Sequence, residues 1–279
     1  MVARSPIGLI AGSGRLPEVL AESVRAQGRP LVVFRLPGAE PGAARAANHR
    51  YDVGYGEMRP ILAALQEHGV RELVFAGGVP HVKLVDAGDS ALRAFLDMHR
   101  DRTGQSLFLQ GVALLEGMGV QVRSPLDLLP DLAMPEGVLT ARGPTEGQWK
   151  DVARGLAIAG ALAGEEVGQA VALFNGVVVA VEAADGTDAT IARAGTLARG
   201  VVIIKAARPR QDPRFDLPAA GVETLQVMRD AGAAVLAMEA GRTLLVDREA
   251  AVASADQAGI VIVGVDPSMS ALRGPMSDP

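Results

Sequence analysis

Between residues 201 and 224 the chain reads VVIIKAARPRQDPRFDLPAAGVET, an apolar β-branched run that breaks off into cations and carboxylates. Residues 201–204 predict a buried strand, because continuous β-branched residues suit a sheet covered on both faces, and Lys205 closes it. Pro209, Pro213 and Pro218 withhold the backbone donors that a helix or central strand needs, so residues 208–218 are expected to form a shaped loop. That loop carries Arg208, Arg210, Gln211, Asp212, Arg214 and Asp216. At the carboxyl end of a strand, where α/β folds place ligands, carboxylates mixed with guanidinium groups suit a divalent metal and an anionic substrate. The same residues also suit a solvated loop whose acids and arginines pair with one another.

A second acidic set lies upstream in VEAADGTDATIAR. Glu182 ends an apolar strand, and Asp185-Gly186-Thr187-Asp188 reads as a turn into a helix, with Thr187 as its cap. Glu182, Asp188, Asp212 and Asp216 supply oxygen ligands of the kind Mg²⁺ prefers, and Lys205 with the loop arginines would stabilise charge developing on phosphate. Near the N-terminus, Gly12-Ser13-Gly14 between a strand and a helix would aim backbone amides at a phosphate or nucleotide edge, or would simply permit a tight turn. Gly77-Gly78 closes a later strand, beside His81 and Lys83. The dinucleotide fingerprint is incomplete: Pro17 stands where a small residue belongs, and Arg35 stands where an acid would hold a ribose. An arginine there would suit a 2′-phosphate, so an NADP-dependent oxidoreductase is an alternative. A non-catalytic carrier of lipid or nucleotide sugar is a third class.

Strands alternating with helices must position these groups. Residues 7–11, 31–34, 72–76 and 120–122 predict strands, and residues 16–26, 58–68, 91–100 and 106–117 predict helices, which together make a Rossmann-like parallel-sheet domain. Prolines scattered over residues 124–147 suggest a linker, so the division falls into residues 1–134 and 135–279. The second half predicts another α/β domain. Its helices lie at residues 146–163, 187–199 and 224–231, and its strands at residues 170–174, 177–181, 201–204, 234–238, 243–246 and 260–263. Asn175-Gly176 between the first two of those strands is a strong hairpin signal.

The 279 residues are 49% hydrophobic and 21% charged, which describes a globular chain. Only 3% are aromatic, against base-stacking modules, and a net charge of −5 argues against a general polyanion binder. Cysteine is absent, which excludes disulfides and thiolate metal sites. No secretory signal or membrane-length apolar run is evident, so a cytoplasmic location is expected.

The strings IGLIAGSGRLPEVL, AGGVPHVKL, DLLP, VGQAVALFNGVVVAVEAADGTDATIAR, IIKAARPRQDPRFDLPAAGVETL and SADQAGIVIVG occur in order along the chain. Together they resemble the LpxI family of UDP-2,3-diacylglucosamine pyrophosphatases. The residues around 103–110, RTGQSLFL, depart from the acidic helix start of that family. The resemblance implies an Mg²⁺-dependent hydrolase of lipid A biosynthesis in a Gram-negative bacterium, splitting a UDP-sugar lipid into UMP and 2,3-diacylglucosamine 1-phosphate. It further implies a cytoplasmic homodimer with peripheral contact at the inner membrane. Carried over by motif, Asp216 would be the essential carboxylate, with Asp212, Glu182 and Asp188 beside it as metal ligands, and Lys205 and Arg214 on phosphate. Gly12, Ser13, Gly14, Gly77, Gly78, Gln169, Thr187 and Gln211 would contact the substrate.

Overall fold

In the computed structural model, residues 5–79, 104–266 and 268 are described. The helix expected at residues 91–100, and His81 and Lys83, lie outside the described residues. The chain divides into two compact units, one of residues 1–130 together with Asp212–Asp216, the other of residues 131–211 and 217–279.

The first unit is built on five parallel strands: β1 (Ile7–Ala11), β2 (Leu31–Arg35), β3 (His49–Asp52), β4 (Glu72–Ala76) and β5 (Gln121–Arg123). Their order is β3-β2-β1-β4-β5. The order reverses between β1 and β4, the topological switch point at which such sheets open a crevice. β1 is buried along its whole length, as a parallel strand covered on both faces must be. Leu16–Ala26 presents Leu16, Leu20, Ala21 and Val24 to the interior at helical spacing, and Pro17 sits in its first turn, where no backbone donor is needed. One core cluster gathers Val32, Phe34, Leu65, Val70, Leu73, Val112 and Val122.

The second unit holds a mixed six-stranded sheet in the order β6-β13-β11-β9-β7-β8. These strands are β6 (Gly137–Val138), β7 (Ala170–Phe174), β8 (Val177–Val181), β9 (Val202–Lys205), β11 (Val235–Glu239) and β13 (Val261–Val265). β9, β11 and β13 run parallel; β7 pairs antiparallel with both β8 and β9. β10 (Ala219–Ala220) and β12 (Leu244–Leu245) form a separate parallel pair. The β7–β8 hairpin turns through Asn175 and Gly176, both at positive φ, and a carboxylate oxygen of the buried Asp151 accepts the Gly176 amide at 2.6 Å. Among the described residues, no helix is long and apolar enough to cross a membrane.

Three sequence readings change. The strand expected at residues 201–204 lies one residue later, at Val202–Lys205, so that Lys205, which ends it as expected, is paired in register with Ala170. The helix Arg248–Ala258 joins β11 to β13 although nothing was predicted there; its buried face consists of Ala251 and Ala255, too thin a stripe to read as amphipathic. The proline-rich stretch is ordered structure. Ser124 and Asp127 close a capping box around the short helix Pro125–Leu128, and Thr145 and Gln148 close another at the head of Glu146–Gly164.

Candidate functional site

At the switch point of the first sheet, the turn after β1 and the turn after β4 clasp each other. Ser13 N donates to Gly78 O at 3.0 Å, Gly78 N donates back to Ser13 O at 2.9 Å, and the Ser13 hydroxyl reaches the same Gly78 carbonyl at 3.2 Å. The glycines are required by closeness. A Cβ at Gly12 would overlap the carbonyl oxygen of Gly78, and one at Gly77, where φ is +86°, would lie 2.5 Å from Ser13 O. A Cβ at Gly14 would meet nothing within 4 Å. Thus Gly12, Ser13, Gly14, Gly77 and Gly78 lie together, in two joined turns at the carboxyl ends of β1 and β4. The amides of Ser13 and Gly78, however, are each spent on the other residue's carbonyl oxygen, so a phosphate cradle there would have to use other donors.

The acidic tip of the charged loop, Asp212–Asp216, is part of this same first unit, whereas the sequence division assigned it to the second. Three side-chain contacts account for that. The Ser124 hydroxyl donates to Pro213 O at 2.8 Å, Arg214 Nη1 meets Glu116 Oε1 at 3.0 Å, and the Phe215 ring stacks on Phe108 with centroids 4.6 Å apart. Phe108 in turn meets Phe75 of β4 edge-on at 5.3 Å. Arg214 forks onto Asp212 through Nε and Nη2, at 2.9 and 2.7 Å. Those hydrogen bonds from the Arg214 side chain, with a further one from its backbone amide, hold the Asp212 carboxyl below the usual carboxylate range against the opposing effect of burial. The same fork raises Arg214. Asp212 and Arg214, expected on metal and phosphate, are thus engaged with one another. Asp216 follows Phe215, exposed and in the left-handed conformation at φ +45°.

In the second unit, Gln169, Glu182, Thr187 and Lys205 come together. Lys205 Nζ, 5% exposed, donates to Thr187 Oγ1 at 2.9 Å and to Ala219 O at 3.0 Å. The Thr187 hydroxyl donates to Glu182 Oε1 at 2.8 Å, and Gln169 N donates to Glu182 Oε2 at 3.0 Å. Asp188 is exposed in the first turn of the helix Gly186–Leu197, whose N-cap position belongs to Asp185, not to the Thr187 expected there. Gln211 Oε1 accepts from Arg208 N at 3.2 Å, closing the first turn of the loop. Its root is fixed by two residues that no motif singled out: Glu239 Oε2 accepts Ala207 N at 2.8 Å, and Arg242 donates to the Arg208 carbonyl. The signal for Glu239 was present, because it is a carboxylate at the end of an apolar strand, the same cue that picked out Glu182.

The four carboxylates expected to share a metal therefore divide between the units, Asp212 and Asp216 in the first, Glu182 and Asp188 in the second. Among the described residues, no cluster of three or more potential ligands forms a ready cage. Mg²⁺ commonly binds through one or two carboxylates plus substrate phosphates and water, a mode that the exposed position of Asp216 permits. Arg35, on which the oxidoreductase alternative rested, pairs with Asp52 at 2.8 Å.

A parallel sheet with close-set glycine turns at its switch point, followed by a mixed-sheet unit, defines a two-unit α/β protein whose first half is Rossmann-like. The LpxI N-terminal domain matches residues 6–132 and the LpxI C-terminal domain matches residues 135–263, so the chain belongs to the LpxI family. It is 34% identical over 275 residues, 94% of this chain and 98% of the relative, to the UDP-2,3-diacylglucosamine pyrophosphatase LpxI of Caulobacter vibrioides. Solved structures resemble it weakly. The N5-carboxyaminoimidazole ribonucleotide synthetase of Thermotoga maritima aligns at 14% identity and a TM-score of 0.28, over 63% of this chain and 40% of that one. The biotin carboxylase of Campylobacter jejuni aligns at 12% identity and a TM-score of 0.29, over 81% of this chain and 41% of that one. This chain spans well under half the length of either structure, and at those scores neither carries an argument.

Proposed function

We propose that this protein hydrolyses the pyrophosphate bond of UDP-2,3-diacylglucosamine, releasing UMP and 2,3-diacylglucosamine 1-phosphate for lipid A synthesis. The observation that carries the reading is the family match through both halves of the chain, with a relative of that name along nearly its whole length. The structure supports it by putting the Gly12–Gly14 and Gly77–Gly78 turns and Asp216 in one unit.

In this reading Asp216 is the residue that would hold Mg²⁺, which when bound would neutralise diphosphate charge and polarise phosphorus. The Asp212–Arg214 fork fixes the loop on either side of Pro213. Lys205 and Arg242 brace the loop roots. Water adds to the β-phosphorus, the bond from that phosphorus to the bridging oxygen breaks, and UMP leaves with the bridging oxygen. A homodimer with peripheral contact at the inner membrane belongs to the same proposal, and light scattering of the purified protein tests the dimer.

The decisive experiment is chromatographic detection of UMP from the lipid-linked UDP-sugar with Mg²⁺, with EDTA, and with Asp216→Ala. UMP should form only with wild type and Mg²⁺. Wild-type protein that releases none would overturn the hydrolase, and full activity in Asp216→Ala would overturn the site. Reaction in ¹⁸O-water should label the sugar phosphate; label in UMP would reverse the direction of attack.

A further inference from the structure

Six phenylalanines occur in this chain, and three of them meet in one row. Phe75 lies near the carboxyl end of β4, two residues before Gly77 of the glycine clasp. Phe108 stands on the helix Gly104–Gly117, and Phe215 stands immediately before Asp216. The Phe75–Phe108 contact is edge-to-face, and the Phe108–Phe215 contact is stacked with ring planes 25° apart, the two arrangements aromatic pairs favour.

Asp216 is a non-glycine residue at positive φ, a conformation that persists only where its surroundings impose it. The imposition is visible on its N-terminal side. Phe215 N closes a turn onto Asp212 O at 3.0 Å, Asp212 is forked by Arg214, Arg214 is tied to Glu116, and the Phe215 ring is pinned on Phe108. Glu116 and Phe108 lie eight residues apart on one helix, so that helix grips the loop at two points.

We propose that Phe75, Phe108 and Phe215, with Glu116, are positioning residues for the hydrolysis: the aromatic row sets the distance from the glycine clasp to Asp216, and the Glu116 contact sets the orientation of the loop around it. None of the four touches substrate. The proposal rests on the reading of Asp216 as the essential carboxylate. A displacement of about 1 Å in a reacting group can lower turnover by about a hundredfold, so loosening the row should act on kcat.

The test compares Phe215→Leu, Phe215→Tyr, Phe108→Leu and Glu116→Gln in the full chain, with Asp216→Asn alongside, measuring kcat, KM and the Mg²⁺ concentration at half-maximal rate. Phe215→Leu should lower kcat ten- to a hundredfold and raise the Mg²⁺ requirement, with KM held within about twofold and the melting temperature unchanged. Phe215→Tyr, which keeps the ring, should recover kcat to within about threefold of wild type. Glu116→Gln should lower kcat several-fold in the same pattern. Should Phe108→Leu fail to fold, the variants at the half-buried loop position 215 still decide the matter. Wild-type kcat in Phe215→Leu while Asp216→Asn is inactive would overturn the positioning role and leave the reading of Asp216 intact. Activity in Asp216→Asn would overturn that reading first. Loss of kcat in Phe215→Tyr equal to that in Phe215→Leu would also refute the row.

Discussion

Replacing each glycine of the clasp with alanine separates close approach from backbone conformation. At Gly77 both act: φ is +86°, and the new methyl would lie 2.5 Å from Ser13 O and 2.8 Å from the Gly12 carbonyl carbon. A left-handed conformation costs a non-glycine residue about 1–2 kcal/mol, and overpacking costs about 1–3 kcal/mol more, so Gly77→Ala should destabilise the first unit by about 2–5 kcal/mol. At Gly12 only the overlap with Gly78 applies, about 1–3 kcal/mol. At Gly14 only φ, +88°, applies, and the reduced freedom of the unfolded chain returns about 0.4–1 kcal/mol. The expected order is Gly77→Ala worst, Gly12→Ala next, Gly14→Ala mildest. Fluorescence would miss the effect, because Trp149, the single tryptophan, belongs to the second unit. Hydrogen exchange at Ile7–Ala11 and Glu72–Ala76 reads it directly, and Gly77→Ala should raise the opening equilibrium of those strands roughly thirty- to several-thousandfold, at about 1.4 kcal/mol per tenfold. Equal protection in all three variants, or wild-type protection in Gly77→Ala, would refute the clasp as the reason for the glycines.

The Asp212–Arg214 fork should be sensitive to acid. Because the Asp212 carboxyl lies below its ordinary value in the folded chain, its contribution is complete above the ordinary carboxylate pKa of about 3.9 and is lost as pH falls through the lower folded value. Carbon-13 titration of labelled aspartates should show this depressed midpoint, and Arg214→Lys should move it upward; an unmoved midpoint would contradict the fork. Lys205→Met leaves the Ala219 carbonyl without that charged donor and should cost the second unit about 1.5–3 kcal/mol, seen as an earlier urea midpoint by Trp149 fluorescence. A wild-type midpoint would show that Lys205 does not brace the loop.

How much of this was legible depended on whether a signal was local. The strands Ile7–Ala11, Glu72–Ala76 and Ala170–Phe174 fall on their predicted residues because burial demands apolar runs with sharp ends, and the edge strand Val177–Val181 falls on its own because the Asn175-Gly176 turn marks its start. The helix Arg248–Ala258 left no stripe to read, although two parallel strands with residues 240–260 between them needed a crossover. Over residues 124–147 the prolines hid local structure, since Pro125 there starts a helix in its favoured first-turn position. At the site, carboxylates and cations were legible as types, but their partners were not. Nothing near residue 214 announces Glu116, 98 residues away, or that Asp212 would be satisfied by Arg214. Phe215 gave one unused cue, a large aromatic ring amid charged residues in a chain with few aromatics.

The membership of Asp212–Asp216 in the first unit also sets an order on synthesis. When Pro130 leaves the ribosome the sheet β3-β2-β1-β4-β5 has all its strands, yet its last five residues arrive only at the end of the next 86, residues 131–216. At about 5–20 residues per second that interval is roughly 4–17 s, during which Phe108 lacks Phe215 and Glu116 lacks Arg214. A fragment ending at residue 134 would hold the nascent chain permanently in that state, and a peptide carrying residues 212–216 would supply the missing segment in trans.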